Sequence, residues 1–382
     1  MTSKTPSSGT LSALDLRNVF GETGSGGQVS IGNFRISQTV DEMNNMPLDE
    51  GVPQGNSPIS FEQLRGKRLN VIVRYGNEAR PNTGYERYGN GFSSQVVVLK
   101  PTGSNKNRPS STEGCRVILH VYGRVSTSDS ERGQRYRCAL RTGGAWESDT
   151  RLEVNVGGEG EIVGGGGNGG NGSSDEDQPG ENGKDGSSGL GVAYPLYQLT
   201  VQSGGEIRAG GGGGGGGGTG REDSQNNNRK GGGGGGGGGA GTPHGIGGQA
   251  AELSGHAEAN GKGDNGENGD EREGGRGGNG GENDGEAFGG GGGGGGAPGV
   301  GGGAGEGGEG GEGKSSIDGE NGSTGNGEGG NGGRGKGENG ESNGGVGGNG
   351  GFTIVRKSGI PAFSINGGGV DGNQANGYTG GI

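Results

Sequence analysis

The chain has 382 residues, of which 114 are glycine and only 22% are apolar, and its formal net charge is −12. Residues 1–156 hold 19 Lys and Arg against 15 Asp and Glu, a net of +4, whereas residues 157–382 hold 13 against 29, a net of −16. The first part has aliphatic residues for one modest core; the second does not and must cohere by other means. Its acidity argues against a nucleic-acid partner, no apolar stretch reaches membrane-spanning length, and a signal peptide's apolar run is missing at the N-terminus. Two cysteines, Cys115 and Cys138, make no disulfide scaffold and read as buried free thiols.

Residues 1–66 contain a weak repeat. Ser12-Ala13-Leu14-Asp15-Leu16-Arg17 matches Ser60-Phe61-Glu62-Gln63-Leu64-Arg65. Each reads as a capping box that opens a short helix, with Gly21 or Gly66 near its end. Residues 29–36 are predicted as a strand between them. The first copy, with Ser7-Ser8-Gly9-Thr10-Leu11-Ser12 before it, resembles a short motif near the start of many tailed-phage virion proteins; the second copy carries Asn56-Ser57-Pro58 in place of the glycine.

Residues 67–163 read as β. Segments 69–75, 95–100, 115–125, 135–141 and 151–156 are rich in β-branched and aromatic residues, separated by Gly, Asn, Ser and Pro clusters. Their spacing predicts a small antiparallel sandwich. Arg116, Arg124, Arg132, Arg135, Arg137 and Arg141 make this part locally basic. They read as solvated strand faces or as a docking face for an acidic partner subunit, ahead of a nucleic-acid surface.

Residues 164–351 are dominated by glycine. Unbroken runs occupy 210–218, 231–239 and 289–296. Around them a spacing of three recurs: Glu306, Glu309 and Glu312; Glu328, Asn331 and Arg334; Arg276, Asn279 and Glu282; Val346, Asn349 and Phe352; Asn168 and Asn171. Three is the period of an extended polyproline II type helix, not of an α-helix or a strand. Built from glycine it is called polyglycine II. Such a helix has no internal hydrogen bonds, so its backbone must pair with neighbours. The all-glycine runs are therefore placed inside a bundle, and the X row of each Gly-Gly-X run faces water. Nine residues would span about 28 Å. Collagen is rejected, because glycine often fills two positions in three and proline is scarce. The phrase Glu161-Ile162-Val163 before glycines 164–167 is repeated by Glu206-Ile207-Arg208 before the first long run. Residues 352–382 leave the pattern and are predicted to cap the bundle with a hairpin.

No catalytic or metal constellation emerges, and no cofactor is implied. Gly308 to Ser315 satisfies the P-loop expression, but no buried strand precedes it and no helix comes after it. The Glu306, Glu309 and Glu312 carboxylates would stand about 9 Å apart, too far to share one calcium ion. His120, His244 and His256 have no ligand spacing with the cysteines.

Gly204-Gly205-Glu206-Ile207-Arg208-Ala209-Gly210 and the three runs resemble the glycine-rich adhesins at the tips of long tail fibres of T-even-type bacteriophages, over residues 157–382. That resemblance implies a sandwich of polyglycine II helices, loops at its far end that contact a bacterial outer-surface protein or glycan, and an N-terminal part that docks on the fibre. The resulting expectation is mostly β with very little α-helix: a virion-docking segment at 1–66, a β-sandwich-like domain at 67–163, the polyglycine II bundle at 164–351 and a cap at 352–382. The implied setting is the virion, the protein being made in the host cytoplasm. Its implied partners are other virion proteins through residues 1–163 and a host surface receptor, with no nucleic acid and no membrane insertion. It would bind and not catalyse. A purely structural virion spacer is the alternative. Because successive helices alternate in direction, connections at 219–230 and 283–286 fall at one end. Their polar residues Arg221, Glu222, Asp223, Asn226, Asn227, Asn228, Arg229, Asn283, Asp284 and Glu286 are the candidate receptor contacts.

Overall fold

The computed structural model describes residues 4–20, 31, 52, 57–79, 96–99, 112–224, 227–253, 261–283, 287–298, 305–311, 327–337, 340–370 and 373–380. Apart from Ile31, which is helical and packs partly buried against the core, the predicted strand at 29–36 lies outside them, as do residues 312–315 of the P-loop match. The first capping box forms in full and the second in half. Ser12 and Asp15 exchange bonds, Ser12 N to Asp15 Oδ2 at 2.8 Å and Asp15 N to Ser12 Oγ at 3.2 Å, and open α1 (Ala13–Phe20). Ser60 N donates to Gln63 Oε1 at 2.7 Å, but this box opens one 3-10 turn, Glu62–Leu64, and not an α-helix. The copies converge: Leu16, Val19, Phe20 and Leu64 are buried in the same core as Leu69 and Val71.

The strands then wind around three faces. β1 (Asn70–Tyr75) starts the first face and β2 (Glu78–Ala79) the second; β3 (Val96–Leu99) adds an antiparallel edge to β1. Next come β4 (Arg116–Val121), β5 (Arg124–Ser126) and β6 (Cys138–Arg141), one per face. β7 (Arg151–Val156), β8 (Glu161–Val163) and β9 (Ser188–Val192) repeat the circuit, and β10 (Leu196–Val201) and β11 (Glu206–Arg208) begin another. Within each face successive strands pair in parallel: β1 with β4, β4 with β7, β7 with β10 on the first; β2, β5, β8 and β11 on the second; β6 with β9 on the third. The predicted antiparallel sandwich is thus corrected to a mostly parallel, coiled β-structure. Like residues stack from coil to coil. Val73, Leu119, Val154 and Leu199 share one register row and are all buried, as are Val125, Ile162 and Ile207. Inward side chains stack on the coils on either side and meet those of the other faces in one core. Cys115 and Cys138 are free and buried, and burial pushes the Cys138 thiol up to about 12.

The repeated Glu-Ile phrase has a structural meaning. β8 and β11 are neighbours in register, Glu161 beside Glu206 and Ile162 beside Ile207. From the ends of these two strands the chain leaves the coil, once over 164–187 and again over 209–353. Among the described residues six short strands lie within the second excursion, and the chain returns in β18 (Ile354–Lys357), which pairs with β9. β19 (Ser364–Gly367) pairs with β10, and β20 (Gln374–Tyr378) with β18, all in parallel. Among the described residues of 352–382 these strands pair in parallel and not as a hairpin; they complete faces begun more than a hundred residues earlier.

Every glycine of the three long runs is buried. Their hydrogen bonds repeat with period three. In the first run Gly210, Gly213 and Gly216 donate to Ser187, Lys184 and Glu181; Gly211, Gly214 and Gly217 donate to Ala240, Gly237 and Gly234; Gly212, Gly215 and Gly218 donate to Gly327, Gly330 and Gly333, at 2.8–3.3 Å. Three further segments donate to its carbonyls, as Gly170 does to Gly214, Gly293 to Gly215 and Gly345 to Gly216. The run is surrounded, and its backbone polar groups are met without a side chain. The outer segments show the same period in exposure: Glu306 and Glu309 are exposed while Gly305, Gly308 and Gly311 are buried.

Several arginines read as a docking face meet an acidic partner that is this chain's own glycine-rich part. Arg132 donates to the carbonyl of His244 at 2.8 Å, Arg135 to that of Gly350 at 3.0 Å, and Arg124 pairs with Glu271. Arg208, fully buried, donates to the Glu271 carbonyl at 3.0 Å and faces Glu161 and Glu206. Arg116 and Arg141 instead close pairs within the coil, with Glu153 and Glu131.

Candidate functional site

The registers fix the direction of each glycine segment. Gly210 comes soon after β11, and the 210–218 run lies antiparallel to 231–240, since Gly211, Gly214 and Gly217 meet Ala240, Gly237 and Gly234. The connection after residue 218 is therefore at the end of the run remote from β11. There the chain forms β12 (Gly220–Ser224) and β13 (Asn227–Gly231), an antiparallel hairpin with Arg221 opposite Lys230 and Asp223 opposite Asn228. A second hairpin, β14 (Glu282–Asn283) with β15 (Ala287–Phe288), precedes the third glycine run, which meets the first at that same end through Gly290 and Gly218. β16 (Lys336–Gly337) pairs with β15, and β17 (Gly340–Glu341) with β12. Strands β12 and β13 pack against β14, β15 and β16, so the two candidate connections form one cluster.

Glycine and small residues permit this close assembly. The Phe288 and Lys336 carbonyl oxygens stand 2.5 and 2.1 Å from where a Cβ on Gly220 would lie. Phe288 itself is fully buried, an apolar anchor beneath the hairpins. Thr219 N donates to Ser342 Oγ at 2.8 Å, and Thr219 Oγ1 donates to the Ser173 carbonyl.

Both legs of the first hairpin are gripped by Glu176, from the connection at 174–179. Its carboxylate pairs with Arg221 and, at 2.6 Å, with Lys230. Burial alone would raise this carboxyl; the bonds from Lys230 and Arg221 and from its own backbone outweigh that and hold it down at about 2. Arg221 thus acts within the fold as a strut. Arg334 pairs with Glu341 alongside. Asn226, Asp284 and Glu286 lie outside the described residues. The backbone of Glu222, Asp223, Asn227, Asn228, Arg229 and Asn283 is placed in the strands above. Sequence reasoning missed Glu176 and Phe288. The Ser-Asp-Glu-Asp stretch around Glu176 looks like any solvated turn, and nothing local says which cations it meets.

Among the described residues no group of three or more His, Cys, Asp and Glu could hold a metal ion, and no helix is long and apolar enough to cross a membrane.

Residues 103–289 match the family model of the phage tail fibre adhesin Gp38. This segment runs from before β4 through the first two glycine runs and both hairpins, to the first residue of the third run. Over it the chain is similar to a tail-fibre adhesin of phage. Neither a curated protein nor a solved structure matches the chain.

Proposed function

We propose that this protein is a phage virion adhesin at the tip of a tail fibre. In this reading its glycine segments are polyglycine II helices, and it binds a host surface receptor through the cluster of connections that they carry. The observation that carries the reading is the meeting of two hairpins, 220–231 and 282–288, at the end of the bundle remote from the coil, within the segment that matches the adhesin family. Binding residues sit on loops held by a rigid scaffold, and a support tied by backbone bonds along every row is such a scaffold. Glu222, Asp223, Asn226, Asn227, Asn228 and Arg229, with Asn283, Asp284 and Glu286, supply donors and acceptors of both signs for a polar receptor loop or glycan. Arg221 holds the hairpin in place. The N-terminal part, 1–163, docks on another virion protein.

The test replaces Asp223 to Arg229 by Gly and Ser and measures adsorption to host cells and competition with phage. Loss of binding with an unchanged melting temperature supports the adhesin. Undiminished binding moves recognition elsewhere. If the parent protein neither binds cells nor blocks phage, the glycine-rich part is a structural spacer.

A further inference from the structure

The outer X rows contain many asparagines, and nearly all of them precede glycine. Asn168, Asn171, Asn182, Asn265, Asn268, Asn279 and Asn331 are each followed by Gly. This is the dipeptide most prone to deamidation, because no side chain shields the amide nitrogen that attacks the Asn carbonyl carbon. In the folded bundle, however, both reacting groups are occupied in a repeated way. Asn168 Oδ1 accepts from Ile246 N at 3.0 Å, while Gly169 N donates to Ile246 O at 2.8 Å. Asn279 Oδ1 accepts from Glu309 N at 2.9 Å, while Gly280 N donates to Glu309 O at 2.8 Å. Asn171 holds Gln249, and Asn182 holds Val346, in the same manner.

The geometry obeys a rule. Where the two segments run parallel, Asn and its glycine grip the N–H and C=O of one residue. Where they run antiparallel, the second contact moves two residues back: Asn268 accepts from Gly247 N at 2.9 Å and Gly269 donates to Gly245 O at 3.0 Å. Asn331 does likewise with Gly347 and Gly332 with Gly345. The physical need is plain. An outer residue has a neighbouring segment's carbonyl on one side and none on the other, so its N–H lacks an acceptor. A short side chain ending in an oxygen supplies it.

We propose that these Asn-Gly pairs are two-point backbone clasps that also suppress their own deamidation for as long as the bundle is folded. This goes beyond receptor binding, since it concerns the chemical lifetime of the support. In deamidation the glycine nitrogen bonds to Asn Cγ and gives up its proton, the side-chain amide leaves as ammonia, and water opens the resulting succinimide to Asp or isoaspartate. The clasp holds the attacking N–H on one neighbouring oxygen and the Asn oxygen on a neighbouring N–H, so the two cannot approach until it opens. The Asp product keeps the function: Asp185 Oδ1 accepts from Asn349 N at 2.7 Å beside Gly186 N to Asn349 O at 2.7 Å. Isoaspartate would not, because it adds a carbon to the main chain and throws every later residue of the segment off the period of three.

The test incubates the full chain at mildly alkaline pH, folded and in denaturant, and quantifies deamidation at Asn168, Asn182 and Asn279 by peptide mass spectrometry. The folded rate is expected to be at least about tenfold lower, the factor given by an opening that costs ~1.4 kcal/mol. Equal rates overturn the proposal. Glu309→Pro separates the clasp from general rigidity. Besides an exposed side chain it removes the N–H that Asn279 accepts, and proline suits an extended period-three segment. Asn279 should then deamidate faster in the folded protein while Asn168 is unchanged; no acceleration at Asn279 overturns the clasp. Should Glu309→Pro unfold the bundle, which faster reaction at Asn168 would reveal, Val346→Pro read at Asn182 gives the same decision.

Discussion

A methyl group on Gly214 would stand 2.0 Å from the carbonyl oxygen of Gly293. The obstacle is backbone, itself fixed by Gly293 N donating to Gly215 O at 2.8 Å, so no rotamer can relieve it. Gly214→Ala should cost at least about 3 kcal/mol, and Gly214→Val should prevent folding of the bundle. Asn331→Val removes one exposed acceptor, and about 0.5–1.5 kcal/mol is expected. Melting temperatures check the order; equal values for Gly214→Ala and Asn331→Val would rule out packing by glycine.

The buried Arg208 predicts a second asymmetry. Glu161→Ala removes a carboxylate shared by Arg208 and Arg124 and should destabilise the junction by about 1.5–3 kcal/mol, since Arg208 keeps Glu206 and Arg124 keeps Glu271. Arg276→Ala breaks a pair with Glu306 that is mostly exposed, and its effect should stay under about 1 kcal/mol. Denaturant titrations of both variants measure the contrast, and similar midpoints would show that the junction charges do not hold the bundle.

Docking through the N-terminal part is best probed without deleting it, because Leu16 and Leu64 belong to the core. The repeat leaves two large apolar side chains outside, Leu14 at 63% and Phe61 at 42% exposure. Leu14→Ser with Phe61→Ser should leave the melting temperature unchanged and abolish incorporation into particles. Normal incorporation would place docking on another surface.

The depressed carboxyl of Glu176 gives a pH dependence of known sign. A group whose folded value lies below its unfolded one contributes stability above the unfolded value and loses it as pH falls through the folded one. Hairpin 220–231 should therefore loosen as pH drops from about 4.5 to about 2, and Glu176→Gln should loosen it already at neutral pH. Limited proteolysis within 219–230 reads both. A Glu176→Gln hairpin as resistant as the parent would remove the strut.

The rows of glycine were legible in the sequence because burial without a side chain leaves a signature no other fold needs: two residues in three reduced to hydrogen. The capping boxes at Ser12 and Ser60 were legible for a similar reason, being local. The parallel coil was not. Val154 and Leu199 alternate with polar neighbours as they would in an antiparallel sheet, Val73 and Leu119 lie in short apolar runs that suit either kind of pairing, and nothing in one strand names its partner. The twice-used Glu-Ile phrase was the available sign, since equal sequences in adjacent coils stack. The hairpin predicted for 352–382 failed because the partners of β18 and β19 lie across the long excursion. Glu176 was invisible because its cations arrive from a different connection.

The excursion over 209–353 also orders the making of the protein. β18, the third-face strand that comes after β10 and β11 around the coil, emerges from the ribosome only after all three glycine runs have been synthesised. Until then β9 and β10 present open, pairing-competent edges to every neighbouring nascent chain. Assembly of the glycine part before residue 354 is made would bring the two ends of the excursion together and shorten the search for β9, so the element with no hydrophobic core becomes the one that lets the hydrophobic core close.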